Sequence, residues 1–342
     1  MSHRPLVAMT ATTLTAATLW YTATPNGEAA TTTAATTTAT TATAIPSGLN
    51  APYLYLGWGN PPSPTKVMSA TGTTQFTLAF MLSDGTCNPK WDGERALTGG
   101  TDAAAIKAIR KAGGDVTVSF GGWSGAKLGE KCTTVAKLAT AYQKVIDAYD
   151  LNSIDIDIES SEYESATARK RVVAALKTVK KNNPGLKVYV TFGTGPAGPG
   201  TAGEDLIERA AAKDLDVDGW AVMPFDFDDG TSDMVAATKS AVKGLKDVVA
   251  DAYGISSAAA YRRVGFSTMN GVTDSADETV TVSDFKAMVT YAKKRHLARV
   301  SVWSVNRDRA CADGTEATAS DECSGIDQAT YAFTKTLAGY TG

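Results

Sequence analysis

The sequence predicts an α/β protein, a single (β/α)8 TIM barrel occupying residues 46–342. Three observations predict it. Eight short strand-like runs alternate with helix-like runs, and that order implies a parallel sheet with right-handed crossovers. The runs are rich in Val, Ile, Phe and Tyr, as strands buried on both faces should be. The fourth run strictly alternates acid and Ile, which suits an interior strand of a closed barrel better than the wet edge of an open sheet. An open doubly wound sheet usually has fewer strands, and no G-x-G-x-x-G follows the first strand here.

The elements follow in order. His3 and Arg4 precede an uncharged, mostly apolar stretch, and small residues surround Ala29. Residues 1–30 therefore read as a secretory signal peptide, and the protein is expected to be extracellular. Residues 29–44 are only Ala and Thr. With no large side chain to bury, residues 31–45 are expected to form a disordered linker. Strands are predicted at Tyr53–Trp58, Thr74–Met81, Asp115–Phe120, Ser153–Glu159, Lys187–Phe192, Gly219–Phe225, Val264–Met269 and Arg299–Ser304. Between them, Val135, Leu138, Tyr142 and Val145 form a helical stripe with Thr133 as candidate N-cap. Val172, Val173, Leu176 and Val179 form another, stopped by Pro184–Gly185. Phe285, Met288, Val289 and Ala292 share a face, with Ser283 as candidate cap. Further helices fit Ala103–Lys111, Glu204–Ala212, Met234–Ala252 and Asp327–Leu337, with a short one after Ser63.

Composition narrows the function. The net charge is −3 with no long basic run, so no nucleic-acid partner is expected. Beyond the leader no apolar run reaches bilayer length, so no membrane association of the mature form is expected. A neutral substrate and a monomer fit best. The four cysteines form no C-x-x-C pair, so no metal site is expected, and no cofactor motif is visible. Cys311 and Cys323 lie close in a polar loop and are expected to pair, leaving Cys87 with Cys132.

The chemistry concentrates in Ser153-Ile154-Asp155-Ile156-Asp157-Ile158-Glu159. Period two puts Asp155, Asp157 and Glu159 on one face and the three Ile residues on the other. In a barrel the Ile face meets the helices and the acids enter the lumen. Alternate side chains are roughly 6.6 Å apart. Two charges at that distance repel by about 2.5 kcal/mol at an effective dielectric near 20. At least one acid should therefore stay protonated near pH 7, as a general acid requires. Glu159 is nearest the mouth and has the longest reach. Carboxylates on one strand flank a sugar poorly, so a nucleophile supplied by the substrate's own 2-acetamido group is expected.

On these residues the chain resembles the family 18 chitinases. Asn152–Glu159 is similar to that family's D-G-x-D-x-D-x-E signature, although Asn152 and Ser153 replace the opening D-G. The resemblance implies Glu159 as proton donor. It implies Asp157 as the residue that turns to hold the acetamido group, and Asp155 as the partner that shares a proton with Asp157. Ser119-Phe120-Gly121-Gly122 resembles the S-x-G-G stretch, and Met223-Pro224-Phe225-Asp226 the M-x-Y-D stretch. Phe225 stands where the family has Tyr, which removes a donor aimed at developing charge; Asn270 or Tyr53 is a candidate replacement. Val302-Trp303-Ser304 resembles the end of the eighth strand, and the tail resembles the branch with compact barrels and no insertion domain.

Trp303 is the expected sugar platform, since sugar C–H faces stack on flat apolar rings. Trp58 ends the first strand, Trp123 follows the third, and both are candidate outer platforms. Trp220 is expected in the core, and Trp91 has no clear place. Asp226, Met223, Phe225, Gly121, Gly122 and Asn270 complete the candidate binding set. The expected activity is retaining hydrolysis of β-1,4 links between N-acetylglucosamine units, in chitin or its oligomers. Cleavage of N-glycans and silent chitin binding are the alternatives.

Overall fold

A computed structural model describes residues 48–342. The expected signal peptide and linker lie outside the described residues. Eight strands form one path: β1 (Tyr53–Tyr55), β2 (Gln75–Ser83), β3 (Asp115–Gly121), β4 (Ser153–Asp157), β5 (Lys187–Gly193), β6 (Gly219–Met223), β7 (Val264–Met269) and β8 (Arg299–Trp303). Every neighbouring pair is parallel. The circle closes just ahead of β1, where Leu49 N donates to Ala298 O at 2.8 Å and Val300 N donates to Leu49 O at 2.9 Å. Ser301 Oγ then donates to Ala51 O at 2.7 Å.

Eight helices cover the outside: α1 (Pro64–Thr71), α2 (Gly100–Lys111), α3 (Val135–Tyr149), α4 (Ala166–Asn182), α5 (Thr201–Ala211), α6 (Met234–Tyr253), α7 (Val282–Arg295) and α8 (Ala332–Ala338). Ile154, Ile156 and Ile158 are buried in one apolar layer with Leu138, Val172 and Leu176 of α3 and α4. The burial is what makes the acid side of β4 face the lumen. The predicted barrel is thus present. Only a two-stranded hairpin, Gly271–Val272 with Thr279–Val280, separates β7 from α7.

Local signals were misplaced in three positions. Thr134, not Thr133, caps α3 by accepting from Lys137 N at 3.2 Å. Thr281, not Ser283, caps α7. Asp284 returns a carboxylate to Thr281 N at 2.9 Å, completing a capping box that leaves Ser283 inside the helix. The last helix begins at Ala332 rather than Asp327. Buried Asp308 accepts from Phe333 N and Thr334 N at 3.1 and 2.7 Å and fixes the first turn there.

Both disulfides pair as expected, Cys87–Cys132 and Cys311–Cys323. Trp220 is buried in the core. Trp91 is also buried, on a short strand (Pro89–Trp91) antiparallel to β2, and its indole donates to Tyr149 Oη at 3.0 Å. Among the described residues no helix is long and apolar enough to cross a membrane.

Candidate active site

Four predicted strands stop short of their expected ends, three of them by two residues or more, and those three build the site. Hydrogen-bonded pairing ends at Tyr55, Asp157 and Met223, because strands splay at a barrel mouth. Trp58, Glu159 and Phe225 therefore stand in the loops at the C-terminal rim, where barrel enzymes place their chemistry. Ile158 N still donates to Thr191 O at 2.9 Å, and Glu159 keeps extended dihedrals. The alternation runs on past the strand, so Asp155, Asp157 and Glu159 share the lumen face.

Asp155 lies deepest and has no exposure. Its carboxylate accepts from Tyr53 Oη at 2.8 Å, Ser119 Oγ at 2.7 Å and Thr191 Oγ1 at 2.8 Å. The buried Arg299 guanidinium completes an ion pair with it. Only donors surround this group, from β1, β3, β5 and β8, so a carboxylate is fully satisfied there.

Asp157 differs. It is 3% exposed, and its Oδ1 has no hydrogen-bond partner. Burial, then the charges of Glu159 and Asp155, push its pKa well above the usual carboxylate range. Glu159, partly exposed above it, is pushed up to about 7, mainly by burial; Lys127 opposes the rise. Burial thus pushes two of the three acids toward the protonated form, where charge spacing alone required at least one. Glu159 can give a proton to a group in the cleft near neutral pH. Asp157 has an unspent oxygen with which to meet a polar ligand group.

Asp157 and Glu159 open into a cleft of about 580 Å³. Trp303 floors it, stacked on Phe80 at 5.5 Å between centroids and 14° between planes. Trp58 and Trp123, 47% and 73% exposed, stand at its edges with apolar faces in water. Met223, Phe225 and Asp226 line the wall after β6. Glu278 holds this wall by accepting from Asp226 N and Phe227 N at 2.6 and 2.7 Å. Asp226 Oδ1 in turn accepts from Asp274 N at 2.9 Å and Ser275 N at 3.2 Å. Burial raises the pKa of Asp226 as well.

Three of the expected binding residues do not line the cleft. Gly121 has a φ of +110°, and a Cβ on it would stand 2.0 Å from Asp157 O. Gly122 donates its amide to that same oxygen at 2.8 Å. The glycine pair lets the two backbones meet rather than touching a ligand. Asn270 is fully buried, and its amide is spent on Ser304, accepting from its N at 2.8 Å and donating to its O at 3.2 Å. It braces the peptide after Trp303 and does not replace the missing Tyr hydroxyl. Tyr53 does not replace it either, since its hydroxyl serves Asp155.

Sequence reading missed Arg299, Lys127, Glu162 and Glu278 as parts of this region. Arg299 had a signal: it alternates with Val300 and Val302 in step with Ser301 and Trp303, so it had to face inward. The other three lie in loops or a short helix, where no period reports direction.

Comparison with known proteins agrees with this geometry. No protein-family model matches the chain. It is 29% identical over 317 residues to a probable bifunctional chitinase/lysozyme of Escherichia coli, covering 87% of this chain and 35% of that protein. It is 27% identical over 288 residues to endochitinase 11 of Metarhizium anisopliae, covering 78% of this chain and 53% of that one. The chain thus spans about a third and about half of the curated relatives it matches. The catalytic domain of a Pyrococcus furiosus chitinase superposes with a TM-score of 0.79 at 26% identity, over 87% of this chain and 96% of that domain.

In sequence and fold the chain resembles the family 18 chitinases. The resemblance is to glycosidases, and it covers the whole barrel rather than the acid motif alone. A mutant of the same Pyrococcus domain has been solved in complex with chito-oligosaccharides, again at a TM-score of 0.79.

Proposed function

We propose that the chain hydrolyses β-1,4 links between N-acetylglucosamine units with retention of configuration. The observation that carries the proposal is the pair of acids in the cleft: Glu159, whose pKa burial pushes up to about 7, and Asp157, whose buried oxygen has no partner. Glu159 gives its proton to the glycosidic oxygen. Asp157 turns its free oxygen to the acetamido N–H, and the acetamido carbonyl oxygen attacks the anomeric carbon. Water then opens the ring formed, Glu159 takes the proton back, and the anomeric configuration is retained. Arg299 and three hydroxyls donate to Asp155 beneath, and the Asp155 carboxylate, after burial and Glu159, raises the pKa of Asp157. Trp303 supports the sugar at the cleavage point.

Secretion belongs to the same proposal, with residues 1–30 removed and 31–45 as a tether. The two disulfides support an oxidising compartment. Soluble chitin oligomers are the proposed partners of a single chain.

The test is hydrolysis of an N-acetylglucosamine hexamer by the wild type and by Glu159→Gln, with products resolved by length and anomer. β-Anomeric short products from the wild type are expected, with kcat reduced about 10²–10⁴-fold in the variant. The wild-type kcat/KM should fall as the pH rises through about 7, where Glu159 loses its proton. Binding of the hexamer without turnover by the wild type would overturn the hydrolase reading. It would favour the lectin reading, for which Phe225 in place of a hydroxyl-bearing residue is the supporting observation.

A further inference from the structure

The residues lining the cleft include seven acids and no Lys, Arg or His. Three buried cations lie just behind them: Arg307 faces Asp226, Asp274 and Asp321, and the other two flank the Asp155–Glu159 row, one at each end. Arg299 serves the Asp155 end. Lys127, 1% exposed, lies at the Glu159 end and has no part in the mechanism so far. Its ammonium does not spend its hydrogen bonds on a carboxylate. It donates to Gly122 O and to Ser124 O, the latter at 2.6 Å, the two carbonyls that bracket Trp123.

The peptide between them is held too. Ser160 Oγ donates to Trp123 O at 2.8 Å, and Ser160 directly follows Glu159. Gly122 N donates to Asp157 O at 2.8 Å. Three consecutive residues of the loop are thus tied to Lys127 and to the catalytic segment. Trp123 itself remains 73% exposed on top of this anchored backbone.

We propose that Lys127 is a positioning residue: its buried ammonium fixes the Trp123 loop against the catalytic segment and keeps a positive charge beside Glu159. The proposal rests on the glycosidase reading above. The charges facing each group are these. Glu159 is faced by Lys127, by Asp155 and Asp157 of β4, and by Asp226 after β6. Lys127 is faced by Glu159, Glu162, Asp157 and Glu130. Glu162, on the short helix Ser160–Glu164, is faced by Lys127, Glu130, Arg171 and Tyr142. Among the described residues Lys127 is the one cation facing both Glu159 and Glu162. A neutral residue of the same length would leave the loop unpinned and the acids less balanced.

The test compares the wild type with Lys127→Met. It also uses Lys127→Met with Glu162→Gln, which removes both buried charges and protects the fold if the single variant fails. Glu159 is titrated by carboxyl-carbon NMR, assigned with Glu159→Gln, and kinetics use the hexamer. Loss of Lys127 should raise the Glu159 midpoint by about one pH unit. The alkaline limb of kcat/KM should move with it, and the hexamer KM should rise several-fold as Trp123 is released. A folded variant with an unmoved midpoint and unchanged KM would overturn the proposal. So would an equal loss of activity at every pH with the midpoint unmoved, which marks a brace and nothing more. If the wild type does not cleave the hexamer, the glycosidase reading fails, and the Glu159 titration still judges Lys127.

Discussion

Replacing Arg299 with Met should expose how the acid row is stabilised. Arg299 and Asp155 both have no exposure, and the pair sits at the centre of the barrel. The guanidinium also donates to Tyr53 Oη at 3.2 Å and to Thr77 Oγ1 at 3.4 Å, and lies 5.4 Å from the Tyr53 ring centroid. Removing one partner of a buried pair costs about 3–5 kcal/mol, because the remaining charge stays in low dielectric. Three hydroxyls remain on Asp155 in the variant, which puts the expected loss near the lower figure. In a domain of this size that loss lowers Tm by roughly 6–12 °C. Differential scanning calorimetry at pH 7 reads it directly. Adding Asp155→Asn should restore at least half of the loss, since no unpaired charge is then left behind. A single variant that loses less than about 1 kcal/mol would refute the reasoning, because Asp155 would not then need its cation.

Two further outcomes follow from the same region. Glu162 is 2% exposed, and burial raises its pKa from 4.5 to about 7. A raised folded-state pKa gives stability that is complete below pH 4.5 and is lost as the pH rises through about 7, amounting to about 3 kcal/mol. Glu162→Gln should therefore flatten the fall in Tm between pH 4.5 and 8, and an unchanged slope would count against the assignment. Gly121→Ala should cost roughly 2–4 kcal/mol in urea unfolding, combining a strained φ with a Cβ driven into Asp157 O. Gly72→Ala, at φ +79° with open space around it, should cost only about 1 kcal/mol; equal losses would show that backbone strain alone decides.

Much of the site was legible because a strand reports direction. The alternation in Ser153–Glu159 set three acids on one face and three Ile residues on the other, and the structure keeps that division one residue pair beyond the last ladder bond. The ring of eight units, the burial of Trp220 and both disulfides were likewise readable from local pattern. Helix starts were less so. Thr134 and Thr133, or Thr281 and Ser283, are equivalent as sequence, and only the hydrogen bonds each cap makes in the folded chain select between them.

What the sequence by itself determined is the order of elements and the inward face of β4, since both follow from periods of two and 3.6 residues. What only the tertiary structure decided is which charge meets which. Arg299 finds Asp155 across 144 positions, and Lys127 finds the carbonyls beside Trp123 instead of a carboxylate. The glycine pair serves a backbone contact, and Asn270 serves Ser304. Periodicity fixes the side on which a residue points. Closure of the barrel fixes the partner it meets there, because the eight strands bring distant positions to one axis.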